Sequence, residues 1–183
     1  MPIGKILYFG DFVAIPIAVA LFAYLAMSAH DLYASPEWGL ALVIGIGVWT
    51  LAEYVIHRFI YHHVPIFSSL HDSHHRQPKA MIGVPSFASS GFIILVCYAP
   101  LYFFAPIFAG GLTSGVLLGY ALYMFVHHAT HHWTIEPGDW LYEARVRHLS
   151  HHYYDSANFG IVTGFWDRVF GTVRARRDRL ART

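Results

Sequence analysis

Four apolar stretches, at about 12–28, 38–56, 91–109 and 112–126, constrain this 183-residue chain more than any other feature. A helix needs roughly 17–25 mostly apolar residues to cross the hydrocarbon core of a bilayer. The fourth stretch is short, and it is expected to run on through the histidines that follow it. Charged residues make up 13% of the chain, about half the share of an ordinary soluble domain. The expected fold class is therefore an all-α integral membrane protein with four transmembrane helices in two hairpins. Residues 29–37 would join the first pair, and a tight turn at Gly110-Gly111 the second. At this length one domain spanning 1–183 is expected.

Charge placement supports that layout, because short cytoplasmic loops gather Lys and Arg. With four spans and the N-terminus inside, all 12 basic residues fall on the cytoplasmic side, and so does every histidine except His30. A cleaved signal peptide ending near Ala26 and Ser28 is the competing reading, but cleavage would leave the second helix unpaired. The basic tail from Arg174 to Arg182 reads as a juxtamembrane segment attracted to anionic lipid. A net charge of +1 gives no drive toward nucleic acid. The lone Cys97 has no partner and reads as a buried structural thiol.

Fourteen histidines among 183 residues demand a chemical reason. They fall into spaced groups: His57-x4-His62, His71-x2-His74-His75, His127-x3-His131 and His148-x2-His151-His152. Residues three and four apart share one face of a helix, so each of the last three groups is expected to converge on a point. His62 reaches the place of His57 if the helix ends or bends between them. Ten imidazoles exceed the roughly four ligands of a zinc site, whereas two six-coordinate ions with open positions can use them. A dimetal site follows, and two Fe ions are preferred, with Zn as a contaminant of purified protein. Bridging carboxylates of the Glu-x-x-His kind are absent from the sequence. Glu53, one turn before His57, is a candidate to accept that ring's second N–H, with Asp72 and Asp155 similar, and a plain solvated or interfacial charge is the equal alternative for each. His63, His128 and His132 adjoin ligand positions but point about 100° away on a helix.

These residues resemble the fatty acid hydroxylase superfamily of membrane histidine-box diiron enzymes. The stretches "LHDSHHRQP" at 70–78, "LLGYALYMFVHHATHH" at 117–132 and "RHLSHHYYDSANFGIVTGFWDRVFGT" at 147–172 are similar to fatty acid 2-hydroxylases, in order and with similar separations. The motif-bearing region runs from about 50 to 172.

The resemblance implies a four-span domain with a cytoplasmic helical cap, and a dimetal site between cap and membrane that oxidises a lipid chain with dioxygen. It carries the ten spaced histidines over as ligands. It also carries over Tyr123, one turn before His127, as a catalytic-site residue, although Met124 stands where an aspartate commonly follows that tyrosine. The implied partners are a membrane lipid substrate and a separate electron donor, a b-type cytochrome or a ferredoxin with its reductase.

A carotenoid ring hydroxylase and a sterol desaturase or oxidase are the alternatives within this chemistry. A metal-binding or transport membrane protein is the alternative outside it. The segment "FGIVTGFWDRVFGT" reads as an amphipathic stretch docking the cap to the bilayer. A short unfused chain points to a bacterial inner membrane rather than the endoplasmic reticulum.

Overall fold

The structure is a computed structural model that describes residues 3–29 and 31–174; His30 and the tail from Arg176 to Arg182 lie outside them. Every regular element among the described residues is helical. The first two helices, α1 (Lys5–Phe9) and α2 (Asp11–Met27), run in succession. The third, α3 (Ala34–Val55), continues without a break into a π-helical turn at Ile56–Tyr61, and α4 (Pro65–Arg76) follows it. Next come α5 (Ala88–Cys97), α6 (Ala99–Tyr102), α7 (Pro106–His132), α8 (Tyr142–Tyr153) and α9 (Phe165–Val169). Among the described residues three segments are long and apolar enough to cross a membrane: Lys5–Met27, Ala34–Tyr61 and Pro106–His132. Val13, Ile17 and Leu21 on α2 and Leu40 and Val43 on α3 all face outward. So extensive an exposed apolar surface suits lipid rather than water.

The expected third span departs from the sequence reading. Residues 91–109 do not form one helix: α5 ends at Cys97, the four-residue α6 carries Pro100 in its first turn, and Pro106 opens α7. Proline has no N–H to give a helix interior but suits a first turn, so each proline starts a new helix instead of extending the old one. The turn lies at Phe103–Ala105, and the expected turn at Gly110-Gly111 is overturned because both glycines lie inside α7. Gly111, with Gly115 one turn on, serves close approach. A Cβ on Gly111 would strike the Trp38 carbonyl and Ala41, and one on Gly115 would strike the backbone of α3 at Leu42 and Gly45. Small residues that let backbones touch are how helices gain packing where lipid offers no hydrophobic driving force. The α3–α7 contact is accordingly the most extensive in the molecule.

Around it sits a core of Ile15, Trp49, Ile93, Val116, Leu117 and Tyr120, against which Cys97 packs only partly buried. The fully buried Asp11 ties α2 to α5: its Oδ1 accepts the Phe87 N–H at 2.8 Å and the Ser90 hydroxyl at 2.7 Å. A second cluster, Val126, Ala129, Leu141, Ala144 and Ile161, fastens α8 to the histidine-bearing end of α7. The segment expected to lie on a membrane surface is partly interior. Ala157–Ile161 is buried, and only the α9 end at Phe165, Val169 and Phe170 faces out.

Candidate metal centre

All ten spaced histidines meet at one end of the helices, as two groups of five. His57, His62, His71, His75 and His151 form one group, and His74, His127, His131, His148 and His152 the other; within each group one ring nitrogen per residue lies within 4.8 Å of all the rest. The expectation that His71, His74 and His75 share one point, and likewise His148, His151 and His152, is corrected. Successive helical residues diverge by about 100°, so His74 and His75 on α4 point to different groups, as do His151 and His152 on α8. Pairs at i,i+4 stay together: His71 with His75, His127 with His131, His148 with His152.

His57 and His62 are five residues apart, a spacing that would place them about 140° apart on a regular α-helix. The π-helical turn, whose hydrogen bonds span five residues, covers Ile56–Tyr61. It brings the two rings to 5.6 Å between centroids, nearly parallel at 20°. The helix widens here rather than ending or bending.

The donor atoms test whether a metal fits. His57 Nε2 lies 3.1 Å from His71 Nε2, and His62 Nε2 lies 3.3 Å from His151 Nε2. In the other group the His74–His127 pair is at 3.0 Å, His131–His148 at 2.7 Å and His148–His152 at 3.1 Å. Two nitrogens each about 2.1 Å from one ion and at right angles lie about 3.0 Å apart. The His57 Nδ1 sits 2.6 Å from the Phe159 carbonyl and the His151 Nδ1 sits 2.8 Å from the Ala157 carbonyl. A carbonyl only accepts, so both rings donate from Nδ1, and each neutral ring presents a bare lone pair at Nε2. The Nε2 of His75 is buried and meets no hydrogen-bond partner among the described residues. A proton can bridge one such pair, but five convergent lone pairs are the donor set of a cation, and imidazole suits Zn, Cu, Fe and Ni.

Burial, reinforced by the neighbouring imidazoles, pushes His74, His151 and His152 down to about 3. The same causes lower His71 and His148 well below the ordinary range. These rings are neutral near pH 7, the state in which imidazole binds metal.

Glu53 does not accept from His57. Its Oε1 takes the N–H groups of Ile161 at 2.5 Å and Val162 at 3.0 Å, and the backbone carbonyl of Phe159 orients the ring instead. Asp155, largely exposed, approaches the His75 Nδ1 at 3.4 Å, and Asp72 is exposed. His63 is exposed, and His128 stacks on His132 beside Tyr8, outside both groups. The sequence reading missed Asp167. It is fully buried, and it accepts the Phe159 N–H at 2.8 Å, the Gly160 N–H at 2.9 Å and the Thr172 hydroxyl at 2.8 Å. A lone acid inside the apolar run "FGIVTGFWDRVF" was the available signal.

Beside the histidines lies a cavity of about 110 Å³, lined mainly by apolar and aromatic side chains. His71, His74 and His127 form its metal-side wall, with Tyr61, Tyr123 and Met124 close by. The Tyr123 ring stacks on that of His127 at 5.7 Å, 10° from parallel, so the expected residue does stand where the cavity meets the histidines.

Comparison with known proteins converges on one family. The fatty acid hydroxylase family model matches residues 42–172. Fatty acid 2-hydroxylase of Rattus norvegicus is 35% identical over 72% of this chain and 38% of its own length. The ceramide very long chain fatty acid hydroxylase scs7 of Schizosaccharomyces pombe is 35% identical over 71% of this chain and 41% of its own. The dihydroceramide fatty acyl 2-hydroxylase FAH2 of Arabidopsis thaliana is 31% identical over 81% of this chain and 67% of its own. The chain thus spans about two fifths of the length of the animal and yeast relatives it matches. A solved structure of full-length scs7p, with only the hydroxylase domain visible, superposes with a TM-score of 0.76 at 25% identity, covering 92% of this chain and 67% of that one. The matched region contains all ten convergent histidines and the loop that orients two of them, and on that ground the chain belongs to the fatty acid hydroxylase family.

Proposed function

We propose that this protein is a membrane-bound lipid hydroxylase, a non-haem diiron monooxygenase that hydroxylates a C–H bond of a fatty acyl chain or related lipid. The observation that carries the reading is the pairing of two five-imidazole groups with a largely apolar cavity opening on both. The named activities of the relatives, acting on fatty acids and ceramides, point the same way.

In this reading His57, His62, His71, His75 and His151 hold one iron, and His74, His127, His131, His148 and His152 the other. Iron at those positions would supply the reduction of dioxygen and the oxidation of an unactivated C–H bond, which no side chain here can perform. The protein's part is positional. Neutral rings offer lone pairs without releasing a proton first, and the Ala157 and Phe159 carbonyls fix which nitrogen each of two rings presents. The apolar cavity wall excludes water and holds an alkyl chain against the histidines, while Tyr123 closes the cavity beside His127. Electrons come from a separate donor, a b-type cytochrome or a ferredoxin with its reductase.

The proposed topology keeps four crossings, with the short apolar helices over Ala88–Tyr102 completing the third. It places both termini and a cap made of α4 and α8 on the cytoplasmic side, and treats residues 1–183 as one domain.

The test is expression in a host supplied with isotopically heavy dioxygen, followed by mass spectrometry of the lipids. Wild type is expected to yield hydroxylated acyl chains carrying one heavy oxygen, and His148→Ala none. Equal amounts of hydroxylated lipid from both would defeat the proposal.

A further inference from the structure

The two histidine groups are alike in number and ligand type and unlike in what stands behind them. In the group of His57, the Phe159 carbonyl accepts from His57, the Ala157 carbonyl from His151, and Asp155 lies beside His75. In the group of His148 only His152 has a backbone partner, at His75, and the Nδ1 atoms of His148 and His74 are buried and meet no hydrogen-bond partner among the described residues.

The loop that carries the two carbonyls is held at nearly every backbone group. Asp167 takes the Phe159 and Gly160 N–H groups, Glu53 takes those of Ile161 and Val162, and Arg147 donates to the Gly160 and Ile161 carbonyls. Asn158, in the left-handed region at φ +58°, bonds the Ser150 hydroxyl and the backbone of Arg174. A Cβ at Gly160 would collide with the Thr163 carbonyl. Access is also unequal: the cavity wall takes His74 and His127 from one group and only His71 from the other.

We propose that the two metal positions are unequal, the loop Ala157–Val162 making the position of His57, His62, His71, His75 and His151 the retentive one and leaving the position of His74, His127, His131, His148 and His152 exchangeable. This inference rests on the two-metal reading above. Outer hydrogen bonds fix the tautomer and orientation of a ligating histidine, and their loss typically weakens metal affinity by about 10–100-fold.

The experiment uses the full chain in detergent micelles loaded with zinc, which is redox-silent, and follows zinc release to an excess of a chromogenic chelator. Wild type is expected to release its zinc in two phases of one ion each, differing in rate by about tenfold or more. His131→Ala should bind one zinc and show only the slow phase. Asp167→Asn, and independently Glu53→Gln, should speed the slow phase by about tenfold and leave the fast phase within about twofold. Release of both ions in a single phase overturns the inference. So does a fast phase that survives His131→Ala, or loop variants that folded like wild type yet accelerate both phases alike. Fewer than two zinc ions bound by wild type overturns the two-metal reading itself, a separate and distinguishable failure.

Discussion

The two histidine groups show two ways of aiming five rings at one point. The group of His148 draws four of its five from regular helices at i,i+4 spacing, His127 with His131 on α7 and His148 with His152 on α8. There the helical repeat does the positioning. The group of His57 draws two rings from the π-helical turn and its exit, and one from α8. Helical spacing cannot bring these three together, and two of them instead lean on the carbonyls of a loop about a hundred residues downstream of the turn. Regular geometry places four of five rings in one group but only the His71–His75 pair in the other, where loop carbonyls brace two of the remaining three.

Removing a ligand from either group is the largest perturbation and erases the comparison. His57→Ala and His148→Ala should each lower lipid hydroxylation in membranes by more than about a hundredfold at matched expression, since the proposed reaction requires both metal positions. Retention of turnover by either variant would remove that histidine from the ligand set. The loop variants come next. Asp167→Asn should weaken metal affinity about 10–100-fold at the braced group alone, measurable by competition titration with a calibrated chelator.

Overpacking the α3–α7 contact should affect both groups equally, because α3 leads into one and α7 into the other. Gly115→Ala pushes a methyl into the Leu42 carbonyl and Gly45, and should cost about 1–3 kcal/mol in reversible unfolding in micelles without changing the ratio of the two release rates.

Acid acts more gradually. His74, His151 and His152 are held down to about 3 in the folded chain against about 6.5 when unfolded. Between those values the unfolded chain binds the extra protons, so stability of the metal-free protein rises with pH there and is lost as pH falls below about 6.5. A melting temperature that is flat from pH 7 to 8 and declines from pH 6.5 to 5 is the expected profile; a rise on acidification would contradict it. Smallest of all, Asp155→Asn should change release of either ion by less than about threefold, because an exposed carboxylate interacts weakly through water.

How much of this could be read in advance follows the same division. The convergence of the ten histidines, the all-helical class and three of the four apolar spans were legible, because i,i+4 spacing and apolar length are local properties of the chain. The division of ligands was hidden by a local rule applied too loosely: neighbours such as His74 and His75 share a stretch of sequence but not a helix face. Gly110-Gly111 looked like a turn because glycine marks both turns and close helix contacts, and only the partner backbone at Trp38 and Ala41 distinguishes them. The role of Glu53 stayed open between the His57 ring and a plain charge for a similar reason. One helical turn from His57, it should have faced the ring, yet Ile161 and Val162, remote in sequence, claim its carboxylate. Asp167 and the Phe159 carbonyl act through tertiary contacts that no spacing encodes.

The central claim is that ten imidazoles form two iron positions of five. Its most direct test is iron per chain, measured in protein loaded and purified without oxygen, for wild type, His57→Ala and His148→Ala. The account predicts about two irons in wild type and about one in each variant, lost from different positions. One iron or none in wild type, or two retained in either variant, would contradict it.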